Sequence, residues 1–139
     1  MSAFETAQKF LQACEAPQGW DGCKSYVADG AGFSCQAGAL AGVTTLRDYC
    51  EWMKGLAAGP LPDCTYTLHA KSWDPDTNTA TFVATFHATH TGEGGPVPPT
   101  NKSFDTDYVY AIRMNGDGKV ASMTKVWNDA HALAQLGWT

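Results

Sequence analysis

The hydrophobic pattern of this chain changes its period once, near residue 63, and that change decides the class of fold. Before it, apolar residues recur at helical spacing; after it, they alternate. Ala3, Ala7, Phe10, Leu11 and Cys14 fall on one stripe, so residues 3–15 read as an amphipathic helix, broken by Pro17 and Gly19. Trp20, Cys23 and Val27 mark a second, short helical segment that Asp29-Gly30 stops. Residues 32–37 (GFSCQA) are expected as a short strand. Thr44 or Thr45 caps a third helix, with Asp48 completing a capping box from Thr45. Its stripe is Leu46, Tyr49, Cys50, Met53 and Leu56, and Gly59-Pro60 ends it.

From there residues 65–73 (TYTLHAKSW) and 79–90 (TATFVATFHATH) alternate, joined by a turn at 74–78. The stretch 91–101 holds three Pro and three Gly and reads as a loop. Residues 102–114 and 119–128 are strands around a tight turn at Asn115-Gly116-Asp117-Gly118, and a short helix is expected over 129–136. Helices first and strands afterwards predict an α+β fold. It is expected as one domain over residues 1–139: a strongly bent antiparallel sheet over N-terminal helices, with an apolar pocket between them. Phe82, Ala84, Phe86 and Ala88 share the face turned to the helices. The opposite face, Thr81, Val83, Thr85, His87 and Thr89, is half polar. It suits either a homodimer contact or solvent.

Composition removes several functions. The net charge is −5, and the nine Lys and Arg are scattered singly. No basic stripe exists to neutralise phosphates, so neither nucleic acid nor an anionic membrane surface is an expected partner. No apolar run approaches the roughly 20 residues that span a bilayer. The start MSAFETAQKF enters helical periodicity directly, without a basic and then apolar leader, so a cytoplasmic location is expected. The five cysteines, Cys14, Cys23, Cys35, Cys50 and Cys64, lack ligand spacing and are odd in number. Neither a zinc site nor a disulfide framework is expected, and the bland role is that of small buried thiols.

The segment THTGEGGPVPPTNKSFDTDYVYAIRMNGDGKVASMTKVWND, followed by QLGW, resembles the nuclear-transport-factor-2-like superfamily, in its SnoaL-like polyketide cyclase and ketosteroid-isomerase-like group. The Gly/Pro loop after H-T-G, the strand–NGDGK–strand hairpin and the W-x-D before a terminal helix carry the likeness. The resemblance implies a cone-shaped, barrel-like bent sheet enclosing an apolar pocket. It leaves the activity open, because the superfamily holds isomerases, cyclases, hydrolases, dehydratases and binding modules. Steroid isomerisation is the member activity the residues argue against. Its oxyanion aspartate falls on Tyr110, its helix-1 tyrosine on Leu11, and its base near Cys35, where a thiol is a poor base. The Asp-Arg-Asp set of epoxide hydrolysis is also missing, since only Asp107 lies near Tyr110 without an Arg beside it.

What the resemblance does place is Asp129, at the acid/base aspartate of cyclase-like members. A carboxyl group at the mouth of an apolar cavity can act as general acid or base, but Asp before a helix is also a good N-cap. Tyr110 is a candidate donor to a developing oxyanion, and His90 either a proton shuttle or an idle residue at the sheet rim. Phe82, Phe86, Tyr108, Met123 and Trp127 are the expected walls, with Cys35 beside them. Lys125 shares their face and either pairs with Asp129 or reaches out to the rim. No metal or organic cofactor is implied. The expected function is an acid/base enzyme (cyclase, isomerase or hydrolase-like) on an apolar cyclic or polyketide-like compound. The alternatives are a non-catalytic small-ligand module and a dimeric interaction domain.

Overall fold

A computed structural model describes residues 1–139. The stripe at the start forms helix α1 (Ala3–Glu15), whose first turn is capped by Ser2 Oγ accepting from the Glu5 N–H at 3.1 Å. A short helix α2 (Gly19–Cys23) follows and continues as one 3₁₀ turn, Lys24–Tyr26. Thr45 caps α3 (Leu46–Ala58), its Oγ1 accepting from the Asp48 N–H at 3.2 Å. Leu46, Tyr49, Cys50 and Met53 are the buried residues of that helix, as the stripe requires.

The alternating half gives β2 (Thr65–Asp74), β3 (Thr79–Thr89), β4 (Ser103–Met114) and β5 (Val120–Trp127), then α4 (Asp129–Leu136). These four strands are antiparallel neighbours in the order β5-β4-β3-β2. The fifth strand departs from expectation. β1 runs over Val27–Cys35, longer and earlier than the 32–37 segment, and pairs parallel with β5 at the far edge. Asp29-Gly30 therefore does not stop a helix. Gly30 sits at φ +73° where the β1–β5 register shifts between Val27 and Gly32. That is the signature of a bulge, in which one glycine with positive φ bends a strand without ending it. The sheet is thus mixed, and after β1 the chain turns back through the 3₁₀ turn Gly38–Leu40, so that Thr45 bridges antiparallel to Gly32.

Register then fixes the inner face. Phe82 lies opposite Tyr110, Ala84 opposite Tyr108 and Phe86 opposite Thr106, while on the next strand Tyr108 faces Trp127, Tyr110 faces Lys125 and Ile112 faces Met123. Ala80, Phe82, Ala84, Phe86 and Ala88 are all buried. They pack with α1 and α3 into one continuous apolar core, which takes in the thiols of Cys14, Cys23 and Cys50. All five cysteines are free. No helix is long and apolar enough to cross a membrane.

The outer face carries cross-strand polar chains. Thr85 Oγ1 donates to Asp107 at 2.6 Å and meets His69 Nε2 at 2.7 Å; His87 joins Thr67 at 2.9 Å and Asp105 at 2.6 Å. Val83 stands exposed among them.

Candidate active site

The mouth of the bent sheet holds a cavity of about 200 Å³. Of the seventeen residues around it, fourteen are hydrophobic, and the three others are Glu15, Thr106 and Lys125. A dry engineered cavity of about 150 Å³ accepts benzene, and drug-sized ligands need upwards of about 300 Å³. This cavity therefore suits a compound of one or two rings.

Glu15 is the residue that reading the sequence missed. It closes α1, one turn beyond Leu11, and is only 2% exposed. Tyr108 Oη donates to its Oε2 at 2.6 Å and Tyr110 Oη to its Oε1 at 2.6 Å, so each carboxylate oxygen receives one hydroxyl. Burial pushes the Glu15 carboxyl above its ordinary range; the two tyrosine bonds and the Lys125 charge oppose that rise without cancelling it. Its place at the negative end of the α1 dipole acts in the same direction as burial. Burial and the nearby Glu15 charge hold the Tyr108 and Tyr110 hydroxyls well above theirs, so both stay protonated as donors.

The signal for Glu15 was present in the pattern. Ala7, Leu11 and Glu15 form an i, i+4, i+8 row, so the carboxylate lies on the stripe that α1 buries. An acid on an apolar stripe is costly unless hydrogen-bonded, and here it is.

Lys125 completes the constellation. It projects from β5 opposite Tyr110, is 6% exposed, and its Nζ donates to Tyr49 Oη at 3.1 Å. Tyr49 Oη in turn bonds Tyr110 Oη in a short contact. With Tyr110 donating to Glu15, the only consistent direction is Lys125 to Tyr49 to Tyr110 to Glu15, a wire in which every link carries a proton. Nζ also lies within 6 Å of five aromatic centroids, nearest Trp127 at 4.3 Å and Tyr49 at 5.2 Å. Neither of the molecule's ion pairs includes it. Burial lowers its amine to about 8, with the Glu15 charge opposing.

The other expected residues divide. Phe86, Tyr108, Tyr110, Lys125 and Trp127 line the cavity. Phe82 and Met123 do not; they are core, and Phe82 stacks on Phe4 at 6.1 Å between centroids. Lys125 neither pairs with Asp129 nor reaches the rim, because its amine turns inward to Tyr49. Asp129 is not the N-cap: Asn128 Oδ1 accepts from the His131 N–H at 3.2 Å, and Asp129 is the first residue of α4. Its Oδ2 instead accepts from the Ala39 N–H at 2.8 Å, pinning the 3₁₀ turn Gly38–Leu40. Asp129 and Cys35 border a second, more polar depression where β1 and β5 end, which shares Lys125 and Trp127 with the cavity.

His90 is fully buried, not at a rim, and does not line the cavity. Its Nδ1 accepts from Trp138 Nε1 at 2.9 Å and from the Thr100 N–H at 3.3 Å. Two donors on Nδ1 fix the proton on Nε2, which has no partner. His90 thus holds Trp138, a wall of the cavity, in place.

Comparison with known proteins agrees with this architecture. Wild-type IdmH of Streptomyces antibioticus, a proposed polyketide cyclase, is 19% identical with a TM-score of 0.78, covering 99% of each chain. AclR of Streptomyces galilaeus, a proposed hydroxylase, is 19% identical with a TM-score of 0.75, over 98% of this chain and 83% of that one. BvnE pinacolase of Penicillium brevicompactum is 11% identical with a TM-score of 0.72, over 95% and 86%. At such identities the likeness establishes the fold. No curated protein matches the sequence significantly. The family model for SnoaL-like polyketide cyclases matches residues 5–136, nearly the whole chain, and the chain belongs to that family.

Proposed function

We propose that this protein is a cofactor-independent acid–base enzyme acting on an apolar compound of one or two rings that bears a carbonyl or hydroxyl group. Glu15 is the base and acid, with Tyr110 and Tyr108 as the hydroxyls that hold it. The observation that carries the reading is a buried carboxylate whose two oxygens are each met by a tyrosine, on the wall of an otherwise apolar cavity. Exclusion of water and a raised carboxyl suit proton transfer near neutrality, where a base works best. A non-catalytic carrier has no need of so costly a group. Asp129 serves structure in this reading, since its carboxylate is engaged by the Ala39 N–H and it does not itself line the cavity.

The test is exchange of α-protons in D₂O, followed by NMR, over a panel of mono- and bicyclic ketones. Glu15→Gln should lower exchange by about 10²–10⁴-fold, the usual worth of a positioned acid or base. Equal rates in parent and variant would remove Glu15 from the chemistry.

The outer sheet face is proposed as a homodimer surface. Its threonines, histidines and aspartates already bond one another across strands, which offsets part of the cost of covering them, and Val83 is exposed among them. Sedimentation at micromolar concentration should give twice the 14.9 kDa chain mass, and Val83→Asp should return the monomer. A parent that sediments as a monomer ends this part of the proposal.

A further inference from the structure

Lys125 is more than a neighbour of the acid–base pair. A buried amine with one hydrogen bond, no ion-pair partner and an open side onto an apolar cavity is arranged as a nucleophile towards carbonyl carbon. We propose that Lys125 forms an iminium (Schiff base) with an apolar cyclic aldehyde or ketone held in this cavity. The lowered amine noted above supports this, because only the free amine attacks.

The hydrogen-bonded wire supplies the proton balance. Lys125 passes one proton through Tyr49 and Tyr110 to Glu15, leaving a free amine and a protonated carboxyl. The Nζ lone pair then bonds to the carbonyl carbon as the C=O π pair moves to oxygen. Glu15 returns its proton along the same chain to the oxygen, the nitrogen sheds one of its own to that side, and water departs with the C–O pair. The product is a protonated imine, one water and the original carboxylate, with no oxidant or reductant consumed. The aromatic rings around Nζ favour this cation as they favour the ammonium. An iminium also acidifies the adjacent C–H more than a carbonyl does, which deepens the acid–base reading by giving Glu15 a better carbon acid.

The inference shares its cavity with that reading, but its test needs no turnover. Benzaldehyde, small enough for the cavity, is incubated with the protein and sodium cyanoborohydride at pH 7.5, and the benzylated peptides are mapped by mass spectrometry. An amine at about 8 holds on the order of 100-fold more free base at that pH than an ordinary lysine near 10.4. The peptide carrying Lys125 should therefore be labelled ahead of those carrying the six other lysines, with only the α-amino group competing. Toluene, of the same shape without a carbonyl, should slow Lys125 labelling and leave surface sites unchanged. Glu15→Gln should lower exchange of α-protons by about 10²–10⁴-fold and also slow benzylation at Lys125, because the wire then ends without a proton acceptor, while the surface sites react as before. Unchanged α-proton exchange in that variant, with Lys125 still labelled first in the parent, would remove the acid–base reading and leave the iminium, so the two readings fail separately. Lys125→Met should lose this one adduct. Should that variant not fold, the map of the parent protein decides alone. Benzylation spread over exposed lysines, with the Lys125 peptide unmodified, would overturn the proposal, as would labelling of Lys125 that toluene does not slow.

Discussion

Replacing Lys125 by Met should make the stability difference between variant and parent depend on pH in a calculable way. Met has nearly the length and flexibility of Lys without the charge, so it can fill the same space. In the folded protein the amine is held at about 8, because burial outweighs the Glu15 attraction. In the unfolded chain it returns to about 10.4. Between these values the unfolded state binds the proton that the folded state has released, so the parent gains stability as pH rises through the window. Below pH 8 the full burial penalty is present, about 3 kcal/mol for a depression of this size. Raising the pH from 7 to 9.5 recovers about 2 kcal/mol of it.

Lys125→Met carries no such penalty and should lead the parent by most at pH 7. Loss of the bond to Tyr49 and of the ring contacts offsets part of that lead, so its change with pH is the quantity to measure. Glu15 is present in both proteins; its raised folded value means that stability is lost as pH rises from its unfolded towards its folded value, and this cancels from the difference except for its attraction to the ammonium, which the variant lacks. Urea denaturation followed by tryptophan fluorescence, at intervals from pH 7 to 9.5, gives both curves. A difference that stays flat over this range would refute the buried, depressed amine and with it the physical basis for a reactive Lys125.

Three further outcomes are expected. Asp129→Asn should keep an acceptor for the Ala39 N–H and change stability by only a few tenths of a kcal/mol, whereas Asp129→Ala should lose about 1 kcal/mol; neither should alter α-proton exchange. Phe82→Ala, in the core against Phe4, should lower unfolding free energy by about 3–5 kcal/mol while leaving benzaldehyde access to Lys125 in place, read by chemical denaturation and by labelling. Gly92→Ala would put a Cβ 1.9 Å from the Gly59 carbonyl oxygen, so the loop must shift. A loss of about 1–3 kcal/mol is expected, and a thermal midpoint equal to the parent's would contradict the close approach.

What the sequence determined by itself was everything that depends on local periodicity. The 3.6-residue stripes on residues 3–15 and 46–58, the alternation after residue 63 and the turn residues at 74–78 and 115–118 specify helices, strands and inward faces because each is a property of neighbours along the chain. Parity alone placed Tyr108, Tyr110, Lys125 and Trp127 on one surface, and register across β4 and β5 makes them opposite pairs. What tertiary structure alone decided is where elements distant in sequence meet. β1 parallel to β5 joins residues some ninety positions apart, and no local signal marks such a partner. The same holds for the site. Asp129 stood at a plausible strand end, but Ala39 claims its carboxylate from a turn 90 residues away. Glu15 is a residue at a helix terminus until the sheet brings Tyr108 and Tyr110 to its two oxygens, 93 and 95 residues distant. The proton affinity of a carboxylate is set by the desolvation and donors that other elements supply, so it is a property of the packed molecule.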